Sequence, residues 1–203
     1  MQKVFISYYH KDAQFYKDSL IATNDTLDMF IDNSVDTGDI DDALLTDEQI
    51  RVKIRDEYIK DSDVLILLCG KNSKHRKHID WELHAAMYES DVKKPIPILV
   101  LNLPDSSNNC RKNNEREGEI IERNNPTNWT SLKSYSEFKQ CYPDLPERIL
   151  KSLANKRTPI TIVNFNKLTA SEIKELINFT YQRRNQFKYD DSDPLRRKNG
   201  DDE

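Results

Sequence analysis

The chain has no apolar run approaching the ~20 residues of a bilayer-spanning helix, no surplus of positive charge, no even set of cysteines and no internal repeat. Each absence removes a class of protein. The first residues pass from Met1-Gln2-Lys3 straight into a strand pattern without a signal-peptide core, so the expectation is a cytoplasmic protein that does not enter a membrane. The 31 basic and 35 acidic residues nearly cancel to a net charge of −4, leaving no basic field for nucleic acid and no polybasic patch for lipid. Cys69, Cys110 and Cys141 are odd in number and widely spaced, which argues against a disulfide framework. Cys69, at the end of an apolar strand, reads as a small buried hydrophobe. No metal is expected either. His75, His78 and His84 have a single cysteine near them where zinc sites pair their ligands, and the aspartates from Asp32 to Asp47 lack the D-x-D-x-D-G order of a calcium loop.

What is present is an alternation of short apolar strands and amphipathic helices. At 203 residues the length suits one domain, or one domain with an elaborated second half. Lys3 to Tyr8 is β-branched and aromatic, and Phe15, Tyr16, Leu20 and Ile21 follow at near-helical spacing. Leu27 to Ile31 reads as a second strand, and Ile50, Ile54, Tyr58 and Ile59 form the stripe of a second helix. Val64 to Cys69 is a third strand, followed by a helix with Leu83, Ala86 and Met87 on one face. Ile96 to Leu101 is a nearly continuous apolar fourth strand, of the kind covered on both faces. Strands and helices at this pace imply right-handed β-α-β crossovers and an α/β, doubly wound parallel sheet of about five strands with helices on both faces.

Residues 1–104 hold this core. Residues 105–130, rich in Asn, Glu, Arg and Lys, read as a surface excursion. Residues 131–188 complete or flank the sheet as a helical extension. Within them Tyr135 to Leu153 is helical with a break at Pro143 and Pro146, Pro159 to Val163 is a fifth strand, and Thr169 with Glu172 has the form of a capping box. Residues 189–203 lack the apolar content to order themselves and read as a disordered tail. Arg183-Arg184 and Arg196-Arg197-Lys198 are expected on a solvated face and in that tail.

Gly70 to Leu83, G-K-N-S-K-H-R-K-H-I-D-W-E-L, joins the third strand to its helix and places Glu82 in the helix's first turns. In an open parallel sheet ligands bind at the carboxyl edge, where such helices begin, and in a flavodoxin-like order the chain reverses between the first and third strands. Tyr8 and Tyr9 alternate across a strand end, so at most one of them faces that crevice. Ser73 has no Asp-His pattern to make it a nucleophile and is expected to cap the helix. The acidic pair of a phospho-receiver domain is absent after the first strand, where Ser7-Tyr8-Tyr9 stands instead.

Val4-Phe5-Ile6-Ser7-Tyr8, Phe30-Ile31-Asp32, Val64 to Leu68, and Gly70-x-x-Ser73-x-x-Arg76 followed by Trp81-Glu82-Leu83 together resemble the TIR domain family. The Trp-Glu pair and the arginine before the helix place the likeness closest to the branch containing the TIR-like subunit of the bacterial Thoeris anti-phage defence system. The resemblance covers residues 1 to about 104, and it departs from the family at His78, where many relatives carry a tryptophan, and in the glycine-poor loop after the second strand.

The resemblance implies an NAD+ glycohydrolase or cyclase that splits the nicotinamide–ribose bond and releases a linear or cyclic ADP-ribose-derived signal. NAD+ is then substrate, and no cofactor is implied. Glu82 falls on the family's catalytic glutamate. Ser7, Tyr8, Tyr9, Asp32, Arg76 and Trp81 would bind NAD+, with Arg76 suited to a phosphate through its planar fork. Implied partners are NAD+, a second copy or a downstream effector that senses the product, and a phage-derived trigger. The alternative is a non-enzymatic TIR-like interaction module that works by docking.

Overall fold

The structure is a computed structural model that describes residues 1–35, 45–89, 94–122 and 131–200. The aspartates Asp36, Asp39, Asp41 and Asp42 lie outside these residues, as do positions 123–130 and 201–203. Five parallel strands, β1 (Lys3–Tyr8), β2 (Ile31–Asp32), β3 (Val64–Cys69), β4 (Ile98–Asn102) and β5 (Thr161–Asn164), stand in the order β2-β1-β3-β4-β5. This is the doubly wound, flavodoxin-like sheet that the sequence implies. Seven α-helices occur among the described residues: α1 (His10–Leu27), α2 (Asp47–Lys53), α3 (Lys77–Met87), α4 (Glu115–Ile121), α5 (Tyr135–Cys141), α6 (Glu147–Lys156) and α7 (Ala170–Gln182). None of the described helices is long and apolar enough to cross a membrane.

Strand alternation divides the core in two. Phe5, Leu65, Leu67, Cys69, Ile98, Val100 and Ile162 face α2, α3, α5 and α6, whereas Val4, Ile6, Ile66, Leu68, Leu99, Leu101 and Val163 face α1, α4 and α7. All six residues of β3 are fully buried, which is why that strand reads as an unbroken apolar run. Fully burying one such side chain is worth about 1.5–3 kcal/mol, so the two layers together hold the sheet closed on both faces.

Three expectations are corrected. Helix α1 runs through Leu27, where a second strand is expected; Asp28 then turns left-handed at φ 46°. The buried Asn24 holds that turn by accepting from the Met29 and Phe30 amides, and the strand is only Ile31–Asp32. An amide that fixes a turn from inside a helix leaves no mark on hydrophobic periodicity.

The described part of the excursion after Leu103 is mostly at the surface, but Asn108, Cys110, Arg111, Glu117 and Ile121 anchor it with buried side chains. Arg111 pairs with Ile162 as an antiparallel bridge on the free edge of β5, and its wholly buried guanidinium donates to the Thr158 and Ile160 carbonyls. Glu117, also fully buried, forms an ion pair with Arg183 and accepts from the Asn113 amide at 2.7 Å and the Thr161 hydroxyl at 3.0 Å. Arg183 is therefore part of a buried network and not of a solvated face.

The residues after Lys188 are likewise ordered through Gly200. Phe187 and Tyr189 join the core, the Tyr189 hydroxyl donates to the Ile96 carbonyl, and Asp193 to Gly200 run across the start of α3. Polar contacts supply what the segment's composition does not.

Candidate functional site at the switch point

The chain leaves β1 towards β2 on one side and leaves β3 towards β4 on the other, so the loops after β1 and β3 part at their carboxyl ends and open a crevice. Ser7, the next-to-last residue of β1, has its side chain on the same face as Phe5, and it is wholly buried. Its hydroxyl donates to the Glu82 carboxylate at 2.6 Å. Burial pushes the Glu82 carboxyl up to about 8, against the opposing effect of the Ser7 hydrogen bond. The physical cause is that a poorly solvated site disfavours the charged form, while a donor aimed at the carboxylate favours it.

The two tyrosines separate as alternation requires. Tyr9 packs on the α3 side, under the Arg76 guanidinium at 3.9 Å from its ring centroid. Tyr8 packs on the opposite side, its hydroxyl donating to Gln14 of α1 at 3.0 Å. Alternate positions at the end of β1 and just beyond it thus present the pairs Ser7–Glu82 and Tyr9–Arg76 on one side of the sheet.

The β3–α3 loop is fixed from below. The Gly70 amide donates to Ser73 Oγ at 3.0 Å, the Asn72 amide and side chain donate to the two Asp12 carboxylate oxygens at 3.1 Å each, and the Lys71 amide donates to Asp105. A Cβ on Gly70 would sit 3.1 Å from Asp12 Cβ and Oδ2, so any side chain here would push the Asp12 carboxylate aside by a few tenths of an ångström. Asp12 escapes the sequence reading, although a carboxylate in the first turn of the helix after β1 sits where this edge of the sheet must be.

Ser73 does not cap α3. It closes the short turn Ser73–His75, and α3 begins after Arg76 with no side-chain cap from its own flank. Trp81 is 5% exposed and sits roughly 100° around the helix from Glu82. Its indole N–H donates to the Arg196 carbonyl at 2.8 Å, and the His78 ring meets it edge-on at 5.0 Å. Asp32 ends β2, where it accepts from the Ser34 amide at 3.0 Å and hydroxyl at 2.5 Å; Ser34 in turn accepts from the Ile6 amide. Two cavities flank this end of α3. One, of about 390 Å³, lies between Glu48, Arg51, Trp81 and residues Pro194 to Arg197. The other, of about 310 Å³, is lined by Lys74, His75, Pro143, Glu147 and Arg196 among others.

A flavodoxin-like sheet that carries a carboxylate into its switch point on the helix after the third strand is the arrangement of a TIR-like domain. Residues 5–108 match the family described as Thoeris protein ThsB, TIR-like domain. The chain belongs to that family, which accounts for just over half of its length. No curated protein matches the chain significantly.

Proposed function

We propose that the protein is a defence NADase: it cleaves the nicotinamide–ribose bond of NAD+ and releases ADP-ribose or a cyclic isomer as a signal to a downstream effector in bacterial anti-phage defence. The observation that carries this reading is the Ser7–Glu82 pair at the switch point, a half-buried carboxyl aimed by a donor that is itself wholly buried. Loss of nicotinamide leaves a ribosyl centre with oxocarbenium character, and a preorganised anion stabilises that charge most where water is excluded. The leaving group departs neutral, so no metal and no general acid is needed.

The raised proton affinity of Glu82 is compatible with this role. The nicotinamide ring of NAD+ is cationic, and an opposite charge within a few ångströms favours the ionised carboxyl. Substrate would thereby convert Glu82 from its neutral resting form to the anion. Tyr9 beneath Arg76 gives an aromatic face beside a guanidinium, suited to the ring and phosphate portions of a dinucleotide. Incubation of the protein with NAD+ and detection of nicotinamide by mass spectrometry, with extract of infected cells as activator, tests the reading. Release by the wild type and none by Glu82→Gln supports it; equal release from both, or none from either, sinks it.

One observation favours a second reading, a docking module without catalysis. A Glu82 that is mostly protonated at neutral pH and satisfied by Ser7 also serves as a plain structural contact. In that case Glu82→Gln preserves the biological output.

A further inference from the structure

Helix α3 alone delivers Glu82 to Ser7, and the start of that helix is incomplete. The first four amides of a helix have no partner within it, and Arg76, in the N-cap position, offers no side-chain acceptor. The acceptor comes from 122 residues further along: Asn199 Oδ1 takes the Lys77 amide at 3.0 Å. The adjoining Gly200 amide donates to the His75 carbonyl at 2.7 Å, so the segment grips the chain on both sides of the cap.

The grip continues into the helix. Asp80 accepts from the Arg196 amide at 2.8 Å and from Arg148 of α6 at 2.7 and 3.2 Å, while Trp81 donates to the Arg196 carbonyl. The same Arg148 donates to the Asp193 and Pro194 carbonyls, at 3.0 and 2.8 Å. Residues 75 to 81, at the start of the helix carrying Glu82, are thus clamped by one segment, through the Asn199 side chain and the backbone of Arg196 and Gly200. That segment buries little apolar surface of its own, since Pro194 is exposed and Leu195 half-buried. Segments held by polar contacts with little apolar burial sit at the low end of local stability.

We infer that Asp193–Gly200 is a positioning segment for the Glu82 site, in which Asn199 supplies the cap that α3 lacks and Arg196 fastens Asp80 and Trp81. By holding the first turns of α3, the segment sets how deeply the Glu82 carboxyl is seated against Ser7. This rests on Glu82 as the working carboxyl of the proposed function, and not on which bond is cut.

The experiment uses the full chain with Asn199→Ala and, as rescue, Asn199→Asp, since aspartate keeps an acceptor oxygen at the same reach and accepts from a helix's first amides as well as asparagine does. Two quantities are read: amide hydrogen exchange at Asp80 to Leu83, and the titration of the Glu82 carboxyl by carbon NMR. Asn199→Ala is expected to speed exchange in α3 about fivefold, the equivalent of one lost cap, with β3 unchanged. It is also expected to draw the Glu82 midpoint down from about 8 towards its ordinary 4.5. Asn199→Asp restores both. If the midpoint stays in place in Asn199→Ala, the segment is a fastening with no hold on the site, and the inference falls even where exchange has quickened; failure of Asn199→Asp to rescue overturns it equally. NAD+ cleavage followed in parallel separates the two proposals, because a wild type that releases no nicotinamide removes the chemistry and leaves both readouts standing.

Discussion

The Ser7 hydroxyl lies 2.6 Å from the Glu82 carboxyl across 75 residues of chain, joining the carboxyl end of β1 to the second turn of α3. Both partners are carried by rigid elements. Their geometry depends on the β1–β3 register, in which Ser7 pairs with Leu67, and on how α3 packs over that pair of strands.

Glu82 makes stability depend on pH. The folded carboxyl keeps its proton up to about 8, whereas the unfolded chain releases it near the ordinary 4.5. Between those values the unfolded state binds fewer protons than the native state, so stability falls as pH rises and levels off above 8. At about 1.4 kcal/mol for each tenfold change in proton affinity, the loss amounts to roughly 3–5 kcal/mol. Glu82→Gln is expected to remove this slope, being more stable than wild type at pH 8 and similar to it at pH 4. Thermal denaturation across that range measures it, and parallel curves for the two proteins would contradict the raised proton affinity of Glu82.

Ser7→Ala removes the donor that opposes the effect of burial. The Glu82 carboxyl is then expected to hold its proton more tightly still, because only desolvation remains. If nicotinamide release requires the anion, its pH profile moves to higher pH and its rate at pH 7 drops at least about tenfold, the equivalent of ~1.4 kcal/mol. Initial rates from pH 6 to 9 give the profile; a shift towards acid would contradict the assignment.

Asp80→Ala strands Arg148, whose side chain is 1% exposed, without its carboxylate. Removing one partner of a buried pair costs about 3–5 kcal/mol, so chemical denaturation should show a loss of that order. Asp80→Asn keeps an acceptor for the Arg196 amide and is expected to lose less.

Glu117→Ala tests the network that binds residues 111–121 to the last strand. It leaves Arg183 without its ion pair beside the buried Arg111 and takes an acceptor from Asn113 and Thr161. A loss of about 3–5 kcal/mol is expected. Limited proteolysis should then cut between Leu103 and Ile121 faster than in wild type, while nicotinamide release by the surviving folded fraction is unchanged.

Hydrophobic order along the chain determined most of the architecture. The apolar run Val64 to Cys69 is a strand buried on both faces, Thr169 and Glu172 do form a capping box at α7, and Pro143 and Pro146 separate α5 from α6. These signals are local: a period, a cap or a missing donor acts within a few residues, and the sequence displays it directly. The pairing of motif residues that brought Glu82 forward is also local, since Trp81, Glu82 and Arg76 stand within seven positions.

Only the tertiary structure decided what long-range polar contacts do with those elements. Tyr9 and Tyr8 are equivalent in sequence until the strand is placed between two layers, which puts Tyr9 beside Arg76 and Tyr8 against Gln14. Arg111, Glu117, Arg196 and Asn199 stand in polar, unpatterned stretches that composition assigns to solvent. Yet they cover a sheet edge, satisfy buried charge and cap α3. A hydrogen bond or ion pair depends on direction and distance between residues that are remote in sequence, and no periodicity records either one. The chain by itself therefore specified a TIR-like sheet with a glutamate at its edge. Folding supplied that carboxyl's donor, its raised proton affinity and the segment that holds its helix.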